Sequence, residues 1–389
     1  MSFQGPFSKY PIGFGQILGK ERLPSLAALS QRDVADQPPP TKRIPRTAIR
    51  LAVPSKGRMA EDTLQLLKDC QLNVYKPNPR QYIASISQMP GVEVWFQRAS
   101  DVVRKLMYGD VDLGIVGHDM FREIADSDPG LIVLHDALDF GKCHLGLGIP
   151  TTGRFAGIDN LEDLKAMPEW TETNPLRVVT GYHNVARKFF TEKGFEHVVL
   201  LSADGALEAA PLMGTADIIL DLVSTGVTLR ENNLKEIKGG RIMDSEGVLV
   251  ANAAALKENP GLQTVVHELI ERLEAHLKAD KFYSVIANMR GTSPEDVASR
   301  ILSCEALRGL QGPTISPVYS LSSGAGVNGG HAAERGFYAA TICVPKARLY
   351  TSVKDLRGIG GSGVMVQPMT YIFDEEPERW QKVLSTLGL

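Results

Sequence analysis

Apolar and polar positions run along this chain in two rhythms. The apolar run at 49–54 is followed by the turn Ser55-Lys56-Gly57-Arg58, and Leu64, Leu67 and Cys70 then fall at helical spacing. The pattern predicts strands at 49–54, 92–96 and 112–117, with helices at 59–70 and 99–107 between them. Alternation of this kind predicts an α/β layer with a largely parallel sheet. A second block predicts strands at 145–149, 177–180, 198–201 and 216–220, helices at 185–193 and 206–213, and a further helix starting after Gly226. A long helix follows at about 262–278, where Leu269, Leu273, His276 and Leu277 give it one apolar face. The last part predicts strand 282–288, helix 294–304, strands 314–321 and 336–344, helix 348–356 and strand 364–373. That βαββαβ order is the ferredoxin-like split pattern. The Ser/Gly-rich stretch 322–330 between its second and third strands reads as a loop. A regulatory role for such a module is analogy from fold, not chemistry.

Composition narrows the function. The chain has 389 residues, enough for two or three domains, and its formal charge of -3 gives no basic field for nucleic acid. No apolar run approaches the length of a membrane helix. Four scattered cysteines, with no CxxC pair, exclude a disulfide scaffold or zinc ribbon. Residues 1–46 differ: seven Lys/Arg stand against three Asp/Glu, with Pro38-Pro39-Pro40 and no periodicity. This stretch reads either as a plain flexible extension or as the remnant of a targeting segment outside the fold.

The sharpest local signal lies at 218–228. An apolar strand runs into Asp221, then a short loop with Ser224, Thr225 and Gly226, then Val227-Thr228 at a helix start. Successive backbone N–H groups and the helix dipole make such a loop an anion site. Gly226 removes the Cβ that would block a phosphate. Asp221 cannot favour a phosphate but can accept bonds from sugar hydroxyls, so the combination reads as a ribose-5-phosphate cradle. The alternative is an N-capping hydroxyl beside a solvated aspartate. Upstream, Glu208 either faces the same ribose or is a first-turn glutamate stabilised by its helix dipole.

Ligands of open α/β sheets bind beyond the carboxyl ends of the strands. Lys56 and Arg58 sit at one such end, and Arg80 and Arg98 are further forks for phosphate oxygens or else surface charges. Gly117-His118-Asp119 closes another strand, making Gly117 and Asp119 candidate nucleoside contacts; His118 reads as a ligand group or a polar loop histidine. Two GxGxxG matches are discounted: Gly358–Gly363 follows a helix and precedes a strand, the reverse of the dinucleotide fingerprint, and Gly324–Gly329 lies in the inserted loop. No HExxH motif or Cys/His cluster implies a built-in metal.

The stretch Glu208–Asp217, continuing through Asp221–Thr228, resembles the signature of the ATP phosphoribosyltransferase family. Pro54–Arg58, Phe96–Asp101, Asp112–Gly117 and Gly312–Ser316 are similar to other stretches of that family, and the resemblance covers about residues 48–389. The C-terminal module resembles that of the long form. Ala287–Pro294 and Leu356–Val364 resemble the plant and green-algal branch, which implies a chloroplast (plastid stroma) location; a cytoplasmic one is the alternative.

The resemblance implies a two-lobed, periplasmic-binding-protein-like catalytic core with an ACT-like, ferredoxin-like regulatory domain. It implies lobe I at 47–145 plus 236–275, lobe II at 146–235 and the regulatory domain at 280–389. It implies ATP and phosphoribosyl pyrophosphate (PRPP) as substrates, Mg²⁺ carried by those substrates, dimers assembling into hexamers, and feedback inhibition by histidine. Ser224, Thr225, Gly226, Val227 and Thr228 would hold the 5-phosphate, with Asp221 and Glu208 near the ribose. Lys56, Arg80 and Arg98 would stabilise pyrophosphate, and Arg58, Gly117 and Asp119 would place ATP. Asn288, Thr314 and Ser316 fall on the family's histidine-contacting stretch, with Asn288 where some members carry Asp. The competing expectations are a two-lobed solute-binding protein without catalysis and a catalytically dead regulatory paralogue; an intact phosphate cradle argues against both.

Overall fold

The computed structural model describes residues 46–126, 128–203, 205–319 and 336–389. The extension expected at 1–46 (Arg46 apart) and the 322–330 loop lie outside the described residues.

Lobe I is built on β1 (Ile49–Pro54), β2 (Val74–Tyr75), β3 (Ile83–Ile86), β4 (Val92–Gln97), β5 (Leu113–Gly117) and β6 (Leu131–His135), with α1 (Arg58–Asp69), α2 (Ala99–Met107) and α3 (His118–Ile124) between them. The chain then enters lobe II. Its elements are β7 (Cys143–Pro150), α4 (Leu161–Lys165), β8 (Leu176–Thr180), α5 (His183–Glu192), β9 (Val198–Ser202), α6 (Ala210–Met213), β10 (Ile218–Val223), α7 (Val227–Glu231), β11 (Leu234–Lys235) and β12 (Arg241–Ser245). β13 (Gly247–Asn252) returns to lobe I, followed by α8 (Ala253–Glu258) and α9 (Pro260–Ala279).

The lobe I sheet has the order β2-β3-β4-β1-β5-β13-β6, and the lobe II sheet the order β11-β7-β10-β8-β9 with β12 also on β7. Both are mixed rather than largely parallel. In lobe I, β1 is parallel to β4 and β5, whereas β2, β3 and β4 form antiparallel pairs and β13 runs antiparallel to both neighbours. Short connections force antiparallel pairing, since a parallel pair needs a crossover. β13 enters from the other lobe and so runs against β5.

Both lobes use one device to register the central strands. Asp112, just before β5, accepts the backbone N–H of Arg50 at 2.8 Å. Asp217, just before β10, accepts the backbone N–H of Arg177 at 2.8 Å. Asp217 also holds the guanidiniums of Arg154 and Arg177. Burial alone would raise the Asp217 carboxyl, but the bonds from Arg177 and the charge of Arg154 outweigh it and hold it below the usual range.

Two boundaries differ from expectation. The chain crosses back at Ser245–Gly247 rather than at 236, because β12 pairs with β7 of lobe II and Ile237 is in the lobe II core. The last helix, α12 (Glu378–Leu387), also leaves the C-terminal module. That module is β14 (Phe282–Gly291), α10 (Pro294–Ser303), β15 (Thr314–Val318), β16 (Gly336–Pro345), α11 (Leu349–Gly358) and β17 (Gly361–Pro368). Its sheet order is β15-β16-β14-β17, all antiparallel. The final strand starts and ends earlier than the expected 364–373. Beyond it, Ile372 N–H donates to Ala275 of α9, and α12 (Glu378–Leu387) buries Trp380 and Val383 in the lobe I core. Arg379 pins it, bonding Asp136 and Glu274.

His135, at the end of β6, is 2% exposed, and its Nε2 has no hydrogen-bond partner among the described residues. Burial, helped by Arg379, pulls its pKa from 6.5 down to about 3. The unfolded chain therefore binds a proton that the folded chain refuses between those values. Stability from this site is full above 6.5 and is lost as the pH falls towards 3, at up to about 1.4 kcal/mol per pH unit. His135→Gln is expected to flatten that acid limb in urea titrations; an unchanged slope would show that His135 is not its source.

Candidate functional site

The lobe I half of the site is built where β1 and β4 end. These strands are parallel neighbours, Pro54 opposite Gln97, and Ser55 N–H donates to Gln97 at 2.8 Å. The turns leaving them therefore lie side by side. The first carries Lys56, Gly57 and Arg58 into α1. Gly57 has φ 75°, a conformation that favours glycine, and a Cβ added there would meet nothing within 4 Å. The second carries Arg98 as the N-cap of α2. Neither helix start has a side-chain cap, so first-turn N–H groups of both face outward beside exposed basic side chains. Arg80 lies on the adjoining β2–β3 loop, exposed, and Tyr82 of that loop accepts the Phe96 N–H at 2.9 Å. Lys76, absent from the sequence-derived candidates, joins this region with its Nζ 4.3 Å from the Phe96 ring centre. Lys56, Lys76 and Phe96 border one cleft.

The lobe II half is built on the lobe II sheet and the loop that leaves β10. The apolar run predicts a strand stopping before Asp221, yet β10 continues to Val223, because β7 pairs with it antiparallel as far as His144. Asp221 thus lies inside the strand, opposite Gly146. The expected continuous helix at 206–213 is instead a 3-10 turn, Leu207–Ala209, followed by the short α6. Ala206 in the left-handed region (φ 51°) and Pro211 break it. Glu208 sits half-buried in that turn. After β10, Ser224 and Thr225 are exposed, and Gly226 takes φ 68° as the N-cap of α7. Val227 and Thr228 open α7, exposed and without a side-chain cap.

Electrostatics tie Glu208, Asp221 and Asp119 together. Burial pushes the Asp221 carboxyl up, and the nearby carboxylates of Glu208 and Asp119 push it further against a lowering bond from Leu222 N–H. A pocket that penalises negative charge in this way favours hydroxyl donors or a cation.

Asp119, a candidate nucleoside contact, is buried at 7% exposure. Tyr182 donates to its Oδ2 at 2.8 Å and Ser245 to its Oδ1 at 2.5 Å. Both donors belong to lobe II, so Asp119 ties the lobes together. Glu123, also from lobe I, does the same one helical turn on: it accepts the N–H groups of Asn184 and Val185 at 3.0 Å, capping the start of α5. Nothing local in the sequence marks Tyr182, Ser245 or Glu123 as inter-lobe partners. Gly117 ends β5 half-buried, and His118 stacks on Phe121.

In the C-terminal module, strand register aligns the three effector candidates. Asn288 pairs with Ala339, which pairs with Ser316; Thr314 pairs with Thr341 one step along. Directly paired residues share a face. Val285, Ala287 and Met289 bury the opposite face against α10 and α11, leaving Asn288, Ser316 and Thr314 on the helix-free face. Thr314 and Ser316 are exposed there.

Residues 98–275 match the family described as ATP phosphoribosyltransferase, and residues 279–371 match the family described as HisG, C-terminal domain. Two Arabidopsis thaliana proteins, ATP phosphoribosyltransferase 1, chloroplastic, and ATP phosphoribosyltransferase 2, chloroplastic, are each 56% identical to this chain. The first aligns over 89% of this chain and 82% of its own length, the second over 88% and 82%. An ATP phosphoribosyltransferase of Bradyrhizobium sp. (strain ORS 278) is 31% identical over 84% of this chain and 94% of its own.

Proposed function

This chain belongs to the ATP phosphoribosyltransferase family, and from that premise we propose how its two half-sites divide the reaction. The enzyme transfers the phosphoribosyl group of PRPP to N1 of ATP and releases pyrophosphate, the first step of histidine biosynthesis. A bond forms between N1 and the anomeric carbon as the bond from that carbon to the pyrophosphate oxygen breaks. N1 attacks with a lone pair it already has, so no strong base is needed. The work is to align two polyanions and to stabilise the departing charge.

The lobe II half holds PRPP. The observation that carries this reading is the left-handed Gly226 turn opening an uncapped helix beside Asp221 and Glu208. Ser224, Thr225, Gly226, Val227 and Thr228 take the 5-phosphate through backbone N–H groups and hydroxyls. Asp221 and Glu208 accept ribose hydroxyls. The lobe I half supplies Lys56, Arg80 and Arg98 to the pyrophosphate, and Arg58 and Gly117 to ATP. Asp119 acts beneath them, as the tie between lobes.

The residues fit Mg²⁺ carried on substrate phosphates. No group of three or more metal-binding side chains gathers among the described residues, but such an ion needs only one or two carboxylates beside phosphate oxygens and water. Asp221 and Glu208 would be those carboxylates. When bound, the ion offsets pyrophosphate charge.

Histidine is the effector at Asn288, Thr314 and Ser316. Asn288 offers its ammonium a hydrogen bond without the charge of an aspartate. The protein works as a homo-oligomer, dimers building hexamers, in the chloroplast like the Arabidopsis relatives so named.

Thr228→Ala tests the cradle. Loss of one hydroxyl donor to a phosphate is expected to raise the KM for PRPP by about tenfold, with kcat and the KM for ATP little changed. An unchanged KM for PRPP would place the cradle elsewhere.

A further inference from the structure

One carboxylate beside the phosphate loop belongs to none of the motifs above. Glu236 follows β11, which lies on the edge of β7. Its Oε1 is 2.5 Å from Nε2 of His144, whose side chain is 13% exposed. His144 sits opposite Val223, the last residue of β10 before the loop. Gly146, opposite Asp221, leaves the space through which Glu236 reaches: a Cβ there would stand 3.1 Å from its Oε1. The other oxygen, Oε2, lies 4.0 Å from where a Cβ on Gly226 would be. The carboxylate therefore spans from the strand position facing Asp221 to the turn that opens α7. Gly148, two residues on, lets Leu229 of α7 down onto the same sheet face, since a Cβ there would be 2.9 Å from the Leu229 side chain.

We propose that Glu236, steered by His144, is a positioning residue for PRPP: it supports the Ser224–Gly226 turn from beneath and fixes its distance from Asp221. This rests on the assignment of that loop to the 5-phosphate. A bond from the imidazole to one oxygen restricts the rotamers of this carboxylate, and its second oxygen points towards the turn, 4.0 Å from where a Gly226 Cβ would stand. Phosphate binding needs the loop's N–H groups converged, and a support already in place lowers the ordering cost of reaching that state. The signal in the sequence is faint: Gly146 and Gly148 alternate in a strand, the mark of close approach by another element.

The test is steady-state kinetics on Glu236→Ala, Glu236→Gln, His144→Ala and the double alanine variant, with Thr228→Ala alongside. Glu236→Ala is expected to raise the KM for PRPP by about tenfold, leaving kcat and the KM for ATP within about twofold. Glu236→Gln keeps the shape and a bond to His144, so it should recover most of that loss. His144→Ala should resemble Glu236→Ala, and the double variant should be no worse than either, because both remove one unit. A near-normal KM for PRPP in Glu236→Gln and Glu236→Ala alike, or full additivity of the two alanine changes, would overturn the proposal. If Thr228→Ala weakens PRPP while the Glu236 variants do not, only this inference fails. If Thr228→Ala is also silent, the loop assignment beneath it fails.

Discussion

Arg98→Ala is expected to lower kcat by about 10²–10³-fold with a much smaller change in either KM. The reason is where Arg98 stands. It is the N-cap of α2, exposed, at the carboxyl end of β4, and β4 ends beside the Lys56–Arg58 turn. The charge that grows during reaction is on pyrophosphate, and a guanidinium carried at a helix start offers that charge a fork matched to phosphate oxygens. A group that bound the ground state equally well would change KM instead. Arg98→Lys should fall between, since an ammonium keeps the charge but loses the fork. Steady-state and single-turnover measurements on folded variants decide it: an unchanged kcat in Arg98→Ala removes this residue from the leaving-group role.

Asp221→Asn is expected to cut kcat/KM for PRPP by about 10²-fold and, at the same time, to stabilise the ligand-free protein near neutral pH. The two effects share one cause. Burial and the neighbouring Glu208 and Asp119 carboxylates raise the Asp221 carboxyl above its ordinary value. Between the unfolded and folded pKa values the folded chain binds more protons, so stability falls as pH rises through that window. Above it the penalty is fully present; below the unfolded value it is absent. An amide carries no such penalty, so the variant should be more stable than the parent at about pH 7, with the gap closing at about pH 4. The amide keeps one acceptor oxygen but loses the charge and the second acceptor that the proposed ribose contacts use, hence the kinetic cost. Urea unfolding at the two pH values, together with PRPP kinetics, checks both halves. A variant destabilised at neutral pH would contradict the electrostatics described.

Much of this was legible in the sequence where the determinants are local. β1 and α2 follow from apolar periodicity, and the Gly226 turn follows from its residue types. The βαββαβ order at the C-terminus needed only strand and helix rhythm. What the sequence hid depends on partners distant along the chain. β10 runs past Asp221 because β7 pairs with it, and no apolar run announces that. α12 reads as part of the last module until Trp380 and Val383 are seen in the lobe I core. Asp119 carries the residue type of a nucleoside contact, but its bonds from Tyr182 and Ser245, 63 and 126 residues away, are written in no local pattern. Glu236 and His144 meet across 92 residues and belong to no motif. Asn288, Thr314 and Ser316 were nameable one by one, while their common face emerges only from the register of β14, β15 and β16.

The most direct test is pyrophosphate release from the purified protein given ATP, PRPP and Mg²⁺, each omitted in turn, with and without histidine. Release that requires both substrates, and falls when histidine is added, is the expected result. Release from PRPP without ATP, or none from folded protein with everything present, would contradict the assignment of the two half-sites to one transfer reaction.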